Sequence, residues 1–347
     1  MDPLTEAKKK LMPEMTELLK KRYQILQTIG LEQPIGRRTL SELAGMTERD
    51  IRKETDLLRN QQLIEARTSG MYVSVQGEEV LEALKDFMRE MAGLSDMEKQ
   101  LKSILGITRV LILPQDSDDI PAVKANIGKE AARLLETKFP LYKKIAVTGG
   151  STMAAISKEI TADKKDASLQ FIAARGGLGE DVLHQANTIA SLFAEKTGGA
   201  VKTLYLPDHL SAEAYEMMMR EPVIKEMMEL YDQTEVVVHG IGNAEEIALH
   251  RKSSLEEVNR IRNGGAVSEA FGYYFDKEGN VVYRIRTAGI QMEQVQNAPF
   301  ILAVAGGRSK ATAILSYFKI APPQTTLITD EGAARKIIEL TQKQEEF

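Results

Sequence analysis

Two glycine-rich turns carry the residue types that bind phosphate. Gly149, Gly150, Ser151 and Thr152 end an apolar β-branched run and begin a helical pattern. A strand, a glycine turn and a helix start aim backbone N–H groups and the positive end of the helix dipole at one place, which favours an anion. The run Gly306-Gly-Arg-Ser-Lys310 repeats this arrangement and adds a lysine, although a helix dipole disfavours a cation there. We predict two phosphate-binding turns, with an ordinary Ser- or Thr-capped helix start as the alternative for the first.

Further polar groups follow other apolar runs. Arg175 stands beside two glycines after the apolar run 169–174, and Gln185 is expected about two turns into the next helix. A basic cluster, His250-Arg251-Lys252, precedes Glu269. Two turns and several cations predict a doubly phosphorylated ligand. A nucleotide is disfavoured because neither G-x-G-x-x-G opening a helix nor G-x-x-x-x-G-K-[ST] occurs.

Structural roles remain open for three of these groups. Arg175 can belong to a structural ion pair instead of a ligand site. Glu269 can accept sugar hydroxyls or pair with Arg251. The pair Asp330-Glu331 can act as an acid and a base, but a helix N-cap is the commoner use of such a sequence.

The sequence gives little support for catalysis. The chain has no cysteine, which excludes a thiolate nucleophile, a cysteine metal site and a disulfide. No Ser/His/Asp order is recognisable. The histidines are scattered without metal-ligand spacing, so we predict no metal and no catalytic residue; they are His184, His209, His239 and His250.

The first hundred residues have the pattern of a winged helix-turn-helix. A helical pattern ends at Gly30, and a short helix over 37–44 ends at Gly45. Thr47 is placed to cap a third helix that runs to Asn60, and residues 63–75 alternate around a turn at Ser69-Gly70 as a small hairpin. The third helix would enter the DNA major groove and the hairpin would lie along the backbone.

The predicted third helix and its neighbours supply the DNA-contacting candidates. Those on the helix, taken as exposed, are Thr47, Arg49, Arg52, Lys53 and Thr55. Those expected to reach phosphates are Arg37, Arg38 and Arg67. Acidic residues are interleaved, so the patch is near neutral, and a winged helix used for protein contacts is the alternative.

From Val110 the rhythm changes to apolar runs that alternate with helices. Such alternation predicts an α/β domain with a mostly parallel sheet covered on both faces, with ligands outside the carboxyl ends of the strands. The strand-like runs, with the small or glycine-rich segments that end them, are 110–114, 145–150, 169–179, 203–207, 236–242, 301–307 and 326–330; the helices between them include 181–195, 212–230 and 309–318. Residues 270–286 predict an antiparallel hairpin. We divide the chain into a DNA-binding domain, 1–94, and an effector-binding domain, 95–347.

Composition restricts the class of protein. The 347 residues carry a net charge of −5, so any attraction for nucleic acid must come from a local basic face. No signal peptide is recognisable, and no apolar run approaches the roughly 18–20 residues of a membrane span. We therefore expect a cytoplasmic protein without a membrane partner.

Four segments of the second domain resemble the SorC family of bacterial transcription regulators. They are Val-Thr-Gly-Gly-Ser-Thr, Ala-Arg-Gly-Gly-Leu-Gly-Glu-Asp, Val-His-Gly-Ile-Gly and Val-Ala-Gly-Gly-Arg-Ser-Lys, after a winged helix. The resemblance covers nearly the whole chain. It implies a repressor whose effector domain has a sugar-phosphate isomerase/deaminase-like fold and binds fructose-1,6-bisphosphate. The effector would weaken operator binding and release genes of lower glycolysis.

The resemblance also implies roles for individual residues. One phosphate would lie on Gly149, Gly150, Ser151 and Thr152, and the ligand would also contact Arg175, Gln185, Glu269 and Lys310. The family's basic pair is His250-Arg251 here, where two arginines are expected, so Arg251 is the stronger candidate. A dimer or tetramer is expected because operators usually have two half-sites. The competing hypothesis is a phosphosugar isomerase or deaminase with an added regulatory domain.

Overall fold

The computed structural model describes residues 10–161, 165–176, 181–206 and 211–345. The chain divides into two compact units. The first comprises the residues up to Met97 together with Asp119–Val123, and the second comprises Glu98–Asp118 and the residues from Lys124 onward. Among the described residues, every helix is too short or too polar to cross a membrane.

The first unit contains the predicted helices and hairpin. Its elements are α1 (Pro13–Glu32), α2 (Arg37–Ala44), α3 (Glu48–Asn60), β1 (Ile64–Arg67), β2 (Gly70–Val73) and α4 (Val75–Met91). Gly45 ends α2 in a left-handed conformation, φ 62°, and the Thr47 hydroxyl caps α3 by accepting from the Asp50 N–H at 3.1 Å. Strands β1 and β2 are antiparallel. The predicted end of the first helix is two residues early, because α1 continues through Gly30 to Glu32.

A buried apolar cluster joins these elements. Leu26 and Ile29 of α1 pack with Leu40 of α2, Ile51 of α3 and Ile64 of β1. These residues recur at helical spacing in the helices and at alternate positions in the hairpin. The second helix and the third are thereby fixed against the first, as a helix-turn-helix requires.

The second unit is built on a seven-stranded parallel sheet among the described residues. Its strands are β3 (Arg109–Leu113), β4 (Lys144–Val147), β5 (Gln170–Ala173), β6 (Ala200–Lys202), β7 (Val236–Gly240), β12 (Phe300–Val304) and β13 (Thr325–Asp330). The strand order is β3-β13-β12-β7-β4-β5-β6. The central strands are buried almost throughout, as expected for a sheet covered on both faces. The predicted α/β fold class is confirmed.

Helices connect the parallel strands. They are α5 (Leu94–Leu105), which precedes β3, then α6 (Ala122–Glu136), α7 (Ser151–Glu159), α8 (Ala186–Thr197), α9 (Ala212–Met218), α10 (Pro222–Asp232), α11 (Ala244–His250), α12 (Leu255–Asn263), α13 (Met292–Asn297), α14 (Ala311–Phe318) and α15 (Glu331–Glu345).

A second, antiparallel sheet follows β7. Its strands are β8 (Gly242–Asn243), β9 (Ser268–Ala270), β10 (Tyr273–Phe275) and β11 (Val281–Arg284), in the order β11-β10-β9-β8. The predicted hairpin is β10 with β11. A second tight turn joins β9 to β10 through Phe271 and Gly272, both with positive φ.

Two predicted elements of the second unit are wrong. The strand of this region is β6, which ends at Lys202, before the predicted strand 203–207 begins. The N–H of Leu204 donates to Oδ1 of Asn187 at 2.9 Å, and its carbonyl oxygen accepts from Nδ2 of Asn187 at 3.0 Å, so neither group pairs with a strand. The helix predicted at 212–230 is two helices, since Pro222 lacks an N–H donor and begins a new one. Pro207 itself lies outside the described residues.

Two predicted helix positions also need correction. Gln185 precedes the first residue of α8 and is its N-cap, because residues 182–184 form a separate 3₁₀ turn. Met217 and Met218, which fall within the helix predicted at 212–230, have exposed side chains. They end the short helix α9, which the break before Pro222 separates from α10.

Candidate functional site

The candidate ligand site lies where the order of the strands reverses. From β4 the chain continues to β5 and β6 on one side, then returns to β7 on the other side of β4. Crevices at the carboxyl ends of strands at such a point are the usual ligand sites of open α/β sheets. Ser151 follows β4, and Arg175 follows β5. The short strand β8 follows β7, and its Gly242 lies opposite Glu269 of β9.

The first glycine turn leaves the start of α7 open. Gly150, with φ 108° and ψ 161°, is the N-cap, and no side chain of the described residues caps this helix. Its first N–H groups therefore lack intrahelical partners. A Cβ at Gly149 would lie 2.6 Å from the carbonyl oxygen of His184, so glycine is required there. Ser151 is exposed and Thr152 is buried beside it.

A lysine that was not among the sequence-based candidates, Lys124, lies at this turn, and its charge reaches Lys310. Lys124, in the first turn of α6, donates from Nζ to the Ser151 hydroxyl at 2.5 Å. Burial lowers the pKa of Lys310, and the positive charge of Lys124 lowers it further. Burial also lowers the pKa of Lys124. A lysine in the first turn of a helix is disfavoured by the dipole, and this signal, already noted for Lys310, was present for Lys124 too.

The second glycine turn is closed by carboxylates of the protein. The N–H of Gly307 donates to Oδ2 of Asp330 at 2.7 Å. The N–H of Ser309 donates to Asp118 at 2.8 Å, and the Arg308 side chain pairs with Asp116 at 2.9 Å. The prediction of a second open phosphate-binding turn is wrong, because acidic side chains already occupy its donors. Lys310 itself lies close enough to Lys124 for the two positive charges to interact.

Asp330 stabilises this closed turn and caps a helix. Its Oδ1 accepts from the N–H of Ala333, at the start of α15, at 2.9 Å. Its Oδ2 also accepts from the N–H and the hydroxyl of Ser117 at 3.0 and 2.6 Å. The carboxylate is fully buried. The helix-cap alternative for Asp330 therefore fits the structure.

A buried group of two arginines and one carboxylate forms the other part of the site. Oε1 of Glu269 accepts from Arg251 at 2.8 Å, from Arg175 at 3.3 Å and from the N–H of Gly272 at 2.7 Å. Burial alone would raise the pKa of Glu269, but the two guanidinium groups and the N–H outweigh it and lower the pKa. Glu269 and Arg175 are each about 5% exposed, so this ion pair is well shielded from solvent.

Glu269 keeps one oxygen available. Among the described residues, its Oε2 accepts no hydrogen bond. The ion pair that the sequence analysis treated as the alternative to ligand binding is present, and it leaves an acceptor that a hydroxyl can use. Residues 177–180 of the Arg175 loop lie outside the described residues.

Gln185 and His250 are less closely placed. Gln185 is half-buried at the start of α8, next to His184, whose carbonyl oxygen accepts from the N–H of Gly150 at 2.8 Å. His250 is the exposed last residue of α11, whereas the side chain of Arg251 is only 17% exposed. The ligand roles of all these residues stay predictions. His209 lies outside the described residues.

The first unit exposes most of the predicted DNA-contacting residues of α3. Thr47, Arg49, Arg52 and Lys53 are exposed. Thr55 was taken as exposed, but it is buried and its hydroxyl donates to the carbonyl oxygen of Ile51.

The expected neutrality of this face is reduced in the structure. Glu54 points inward and pairs with Arg22 at 2.9 Å and Lys21 at 3.4 Å, which withdraws one acidic group from the face. Within the described part of the chain, Arg49, Arg52 and Lys53 form no ion pair, so they can meet phosphates or bases.

The remaining DNA-contacting candidates hold exposed ion pairs. Arg37 pairs with Asp56 at 3.3 Å, and Arg38 pairs with Glu42 at 3.3 Å. Arg67 pairs with Glu65 at 2.7 Å and lies over the ring of Tyr72 at 4.6 Å. Exposed pairs contribute at most about 1 kcal/mol, so a DNA phosphate can replace the carboxylate.

Family models match both units. One described as "CggR N-terminal DNA binding domain" matches residues 18–88, and one described as "Putative sugar-binding domain" matches residues 89–339. The chain is 43% identical over 338 residues to the central glycolytic genes regulator of Bacillus subtilis (strain 168), covering 97% of this chain and 99% of the relative. The regulator of the same name from Priestia megaterium is 43% identical over 339 residues, with the same coverage.

Solved structures show the same relationship. A SorC family transcriptional regulator from Enterococcus faecalis is 41% identical, with a TM-score of 0.65, and covers 70% of this chain and 99% of its own. The full-length SorC of Klebsiella pneumoniae, 16% identical with a TM-score of 0.62, covers 91% of this chain and 99% of its own and shares the fold. The chain belongs to the SorC family and is a DNA-binding transcriptional regulator with a sugar-binding domain.

Proposed function

We propose that this regulator represses glycolytic genes and that fructose-1,6-bisphosphate, bound in the second unit, relieves its operator binding. The observation that carries the effector is the pairing of two cationic groups at one edge of the sheet. Lys124 lies at the open start of α7 and its charge reaches Lys310, and Arg175 and Arg251 pair with Glu269. The names of the two 43% identical relatives support glycolytic genes as targets.

The charges of the site suit a sugar bisphosphate. The two lysines, the two arginines and Glu269 together carry a net charge of about +3, four positive charges and one negative. Two phosphate groups together carry roughly −3 to −4 at neutral pH. Oε2 of Glu269 supplies an acceptor for a sugar hydroxyl between them. The ligand would be a bound effector, with no further cofactor.

Operator DNA would be contacted by α3 and the hairpin. Arg49, Arg52 and Lys53 extend from the exposed face of α3, the helix that enters the major groove in this fold. Two half-sites call for at least a dimer, so we expect a homo-oligomer, dimer or tetramer. Such a regulator would act in the cytoplasm, where bacterial DNA is located.

The phosphosugar isomerase or deaminase alternative receives no support from Asp330 and Glu331. Both oxygens of Asp330 accept backbone hydrogen bonds. Glu331 accepts from the N–H of Gln115 and pairs with Arg335. Neither carboxylate is positioned as a free acid or base, and we assign no catalytic residue.

A titration of promoter DNA by fluorescence anisotropy tests this function. Millimolar fructose-1,6-bisphosphate should weaken binding to the chain's own promoter about 5–150-fold, the range of a coupling of about 1–3 kcal/mol. Arg175→Ala should abolish this response and leave operator affinity intact, because the arginine lies in the second unit. Operator affinity that is unchanged at millimolar effector in the unmodified chain would overturn the proposal.

The complementary variant is Arg52→Ala. It should weaken operator binding by about 1–3 kcal/mol while thermal stabilisation by fructose-1,6-bisphosphate is unchanged. Loss of both DNA binding and ligand stabilisation in Arg52→Ala would mean that the side chain supports the fold instead of contacting DNA.

A further inference from the structure

Lys124 lies beside the turn where we expect a phosphate group to bind. It belongs to the first turn of α6, and its Nζ donates to the hydroxyl of Ser151, the first residue of α7. The ammonium group therefore lies beside the start of α7, where the helix dipole is positive. A cation in that position is destabilised unless an anion accompanies it.

Lys310 brings a second ammonium group close enough to Lys124 for the charge of Lys124 to lower the pKa of Lys310. Within the described part of the chain, neither lysine forms an ion pair, and Nζ of Lys310 donates no hydrogen bond. The carboxylates that influence Lys310 are Glu246, Asp118 and Asp330, all beyond ion-pair distance. Asp118 and Asp330 are already committed to the second glycine turn. No carboxylate of the described residues neutralises the two lysines.

We propose that Lys124 is a ligand-binding residue that, with Lys310, Ser151 and the open N–H groups of α7, holds one phosphate monoester of the effector. This inference rests on the proposed function and assigns the phosphate to this end of the site. A dianionic phosphate would neutralise both ammonium groups and accept from the helix N–H groups. The Arg175–Glu269–Arg251 group is left for the other end of the ligand.

The lysine pair predicts proton uptake on binding. Burial and mutual repulsion lower the pKa of Lys310, and burial lowers that of Lys124. A bound dianion reverses this, so at about pH 9 the complex holds more protons than the free protein. A lysine with only a structural role would give no such uptake.

Isothermal titration of the full-length chain with fructose-1,6-bisphosphate tests the proposal. Lys124→Met should raise the dissociation constant about 10–100-fold, the usual effect of losing a hydrogen bond to a charged group. Lys124→Arg should recover part of the affinity. Lys129→Met is the matched control, since Lys129 is an exposed residue of the same helix and should bind like the unmodified chain. Titrations at about pH 9 in buffers of different ionisation enthalpy should show less proton uptake for Lys124→Met.

The outcomes separate this inference from the function on which it rests. If the unmodified chain binds fructose-1,6-bisphosphate and Lys124→Met binds it equally well with equal proton uptake, the inference is wrong and the proposed function stands. If the unmodified chain does not bind it, the proposed effector is wrong, and inorganic phosphate then serves as the probe for the same variants. If Lys124→Met lowers the melting temperature, the affinity of Lys124→Arg, which keeps the positive charge, is compared with that of the unmodified chain instead.

Discussion

The two glycine turns of the effector domain have similar sequences and different surroundings. At the first, Gly150 precedes α7, and no described side chain caps that helix. At the second, Gly307 precedes a 3₁₀ turn whose N–H groups donate to Asp330 and Asp118. Both turns offer the same type of anion-binding backbone. They differ in whether the protein supplies the anion itself.

The segment that follows β3 causes this difference. It brings Asp116 and Asp118 onto the second turn, and Ser117 binds Asp330 beneath it. No comparable acidic segment reaches α7 among the described residues; Lys124 does instead. A glycine turn is therefore a potential anion site whose use depends on the charge of the neighbouring loop. We infer that the first turn serves ligand binding and the second serves stability.

The largest expected loss of folding stability is that of Asp330→Ala. It leaves the N–H groups of Gly307, Ser117 and Ala333 without their acceptor, each a loss of about 1–3 kcal/mol when buried. The free energy of unfolding should fall by about 4–6 kcal/mol, measured by urea denaturation. Ser151→Ala, the matched change at the first turn, should alter it by less than about 0.5 kcal/mol. Equal effects of the two variants would contradict the proposed division of roles.

An intermediate effect is expected from alanine at the two glycines. Gly150 has a backbone conformation that L-residues avoid, so alanine there should cost about 1–3 kcal/mol of backbone strain. The added Cβ would meet no other atom within 4 Å. A Cβ at Gly307, φ 95°, would also lie 2.3 Å from Oδ1 of Asp118. Thermal unfolding should show Gly307→Ala to be less stable than Gly150→Ala by about 1–3 kcal/mol. Gly150→Ala should show its larger defect in fructose-1,6-bisphosphate binding, and the reverse ranking in both assays would break the comparison.

The smallest expected change in folding stability is that of Asp116→Asn. Burial raises the pKa of Asp116 above 3.8, and the charge of Asp330 raises it further. The folded state therefore binds this proton more tightly than the unfolded state does. The resulting gain in stability is fully present at pH values below 3.8, the ordinary pKa, and is lost as the pH rises through the raised pKa of the folded state. Asp116→Asn should change stability by less than about 1 kcal/mol at pH 7 and should remove this gain on acidification. Parallel pH–stability curves for both chains, measured by urea denaturation, would show that the carboxylate does not titrate in this way.

Much of the fold followed from local patterns. Thr47 and Gly45 marked the ends of α3 and α2 because a hydroxyl cap and a left-handed glycine act within a few residues. The buried strands β4, β7 and β12 were recognisable as β-branched runs. The errors arose where a distant side chain intervened, as Asn187 does at Leu204, or where Pro222 interrupted a continuous periodicity.

The candidate site was predictable in its residue types but not in its grouping. A pair of Glu269 with Arg251 was one alternative in the sequence, whereas the contact of Glu269 with Arg175, 94 positions away, was not foreseen. The two glycine turns were expected at opposite ends of one ligand. Lys310 instead lies near Lys124, which hydrogen-bonds to the first turn.

By itself, the sequence determined which residues can form turns, caps, strands and an exposed basic helix, because these depend on neighbours within a few positions. It also contained the motifs of the SorC family. Only the tertiary structure decided which glycine turn keeps its N–H groups open. That outcome depends on where the carboxylates of Asp116 and Asp118 lie relative to a turn about 190 residues away, and sequence periodicity carries no information about it.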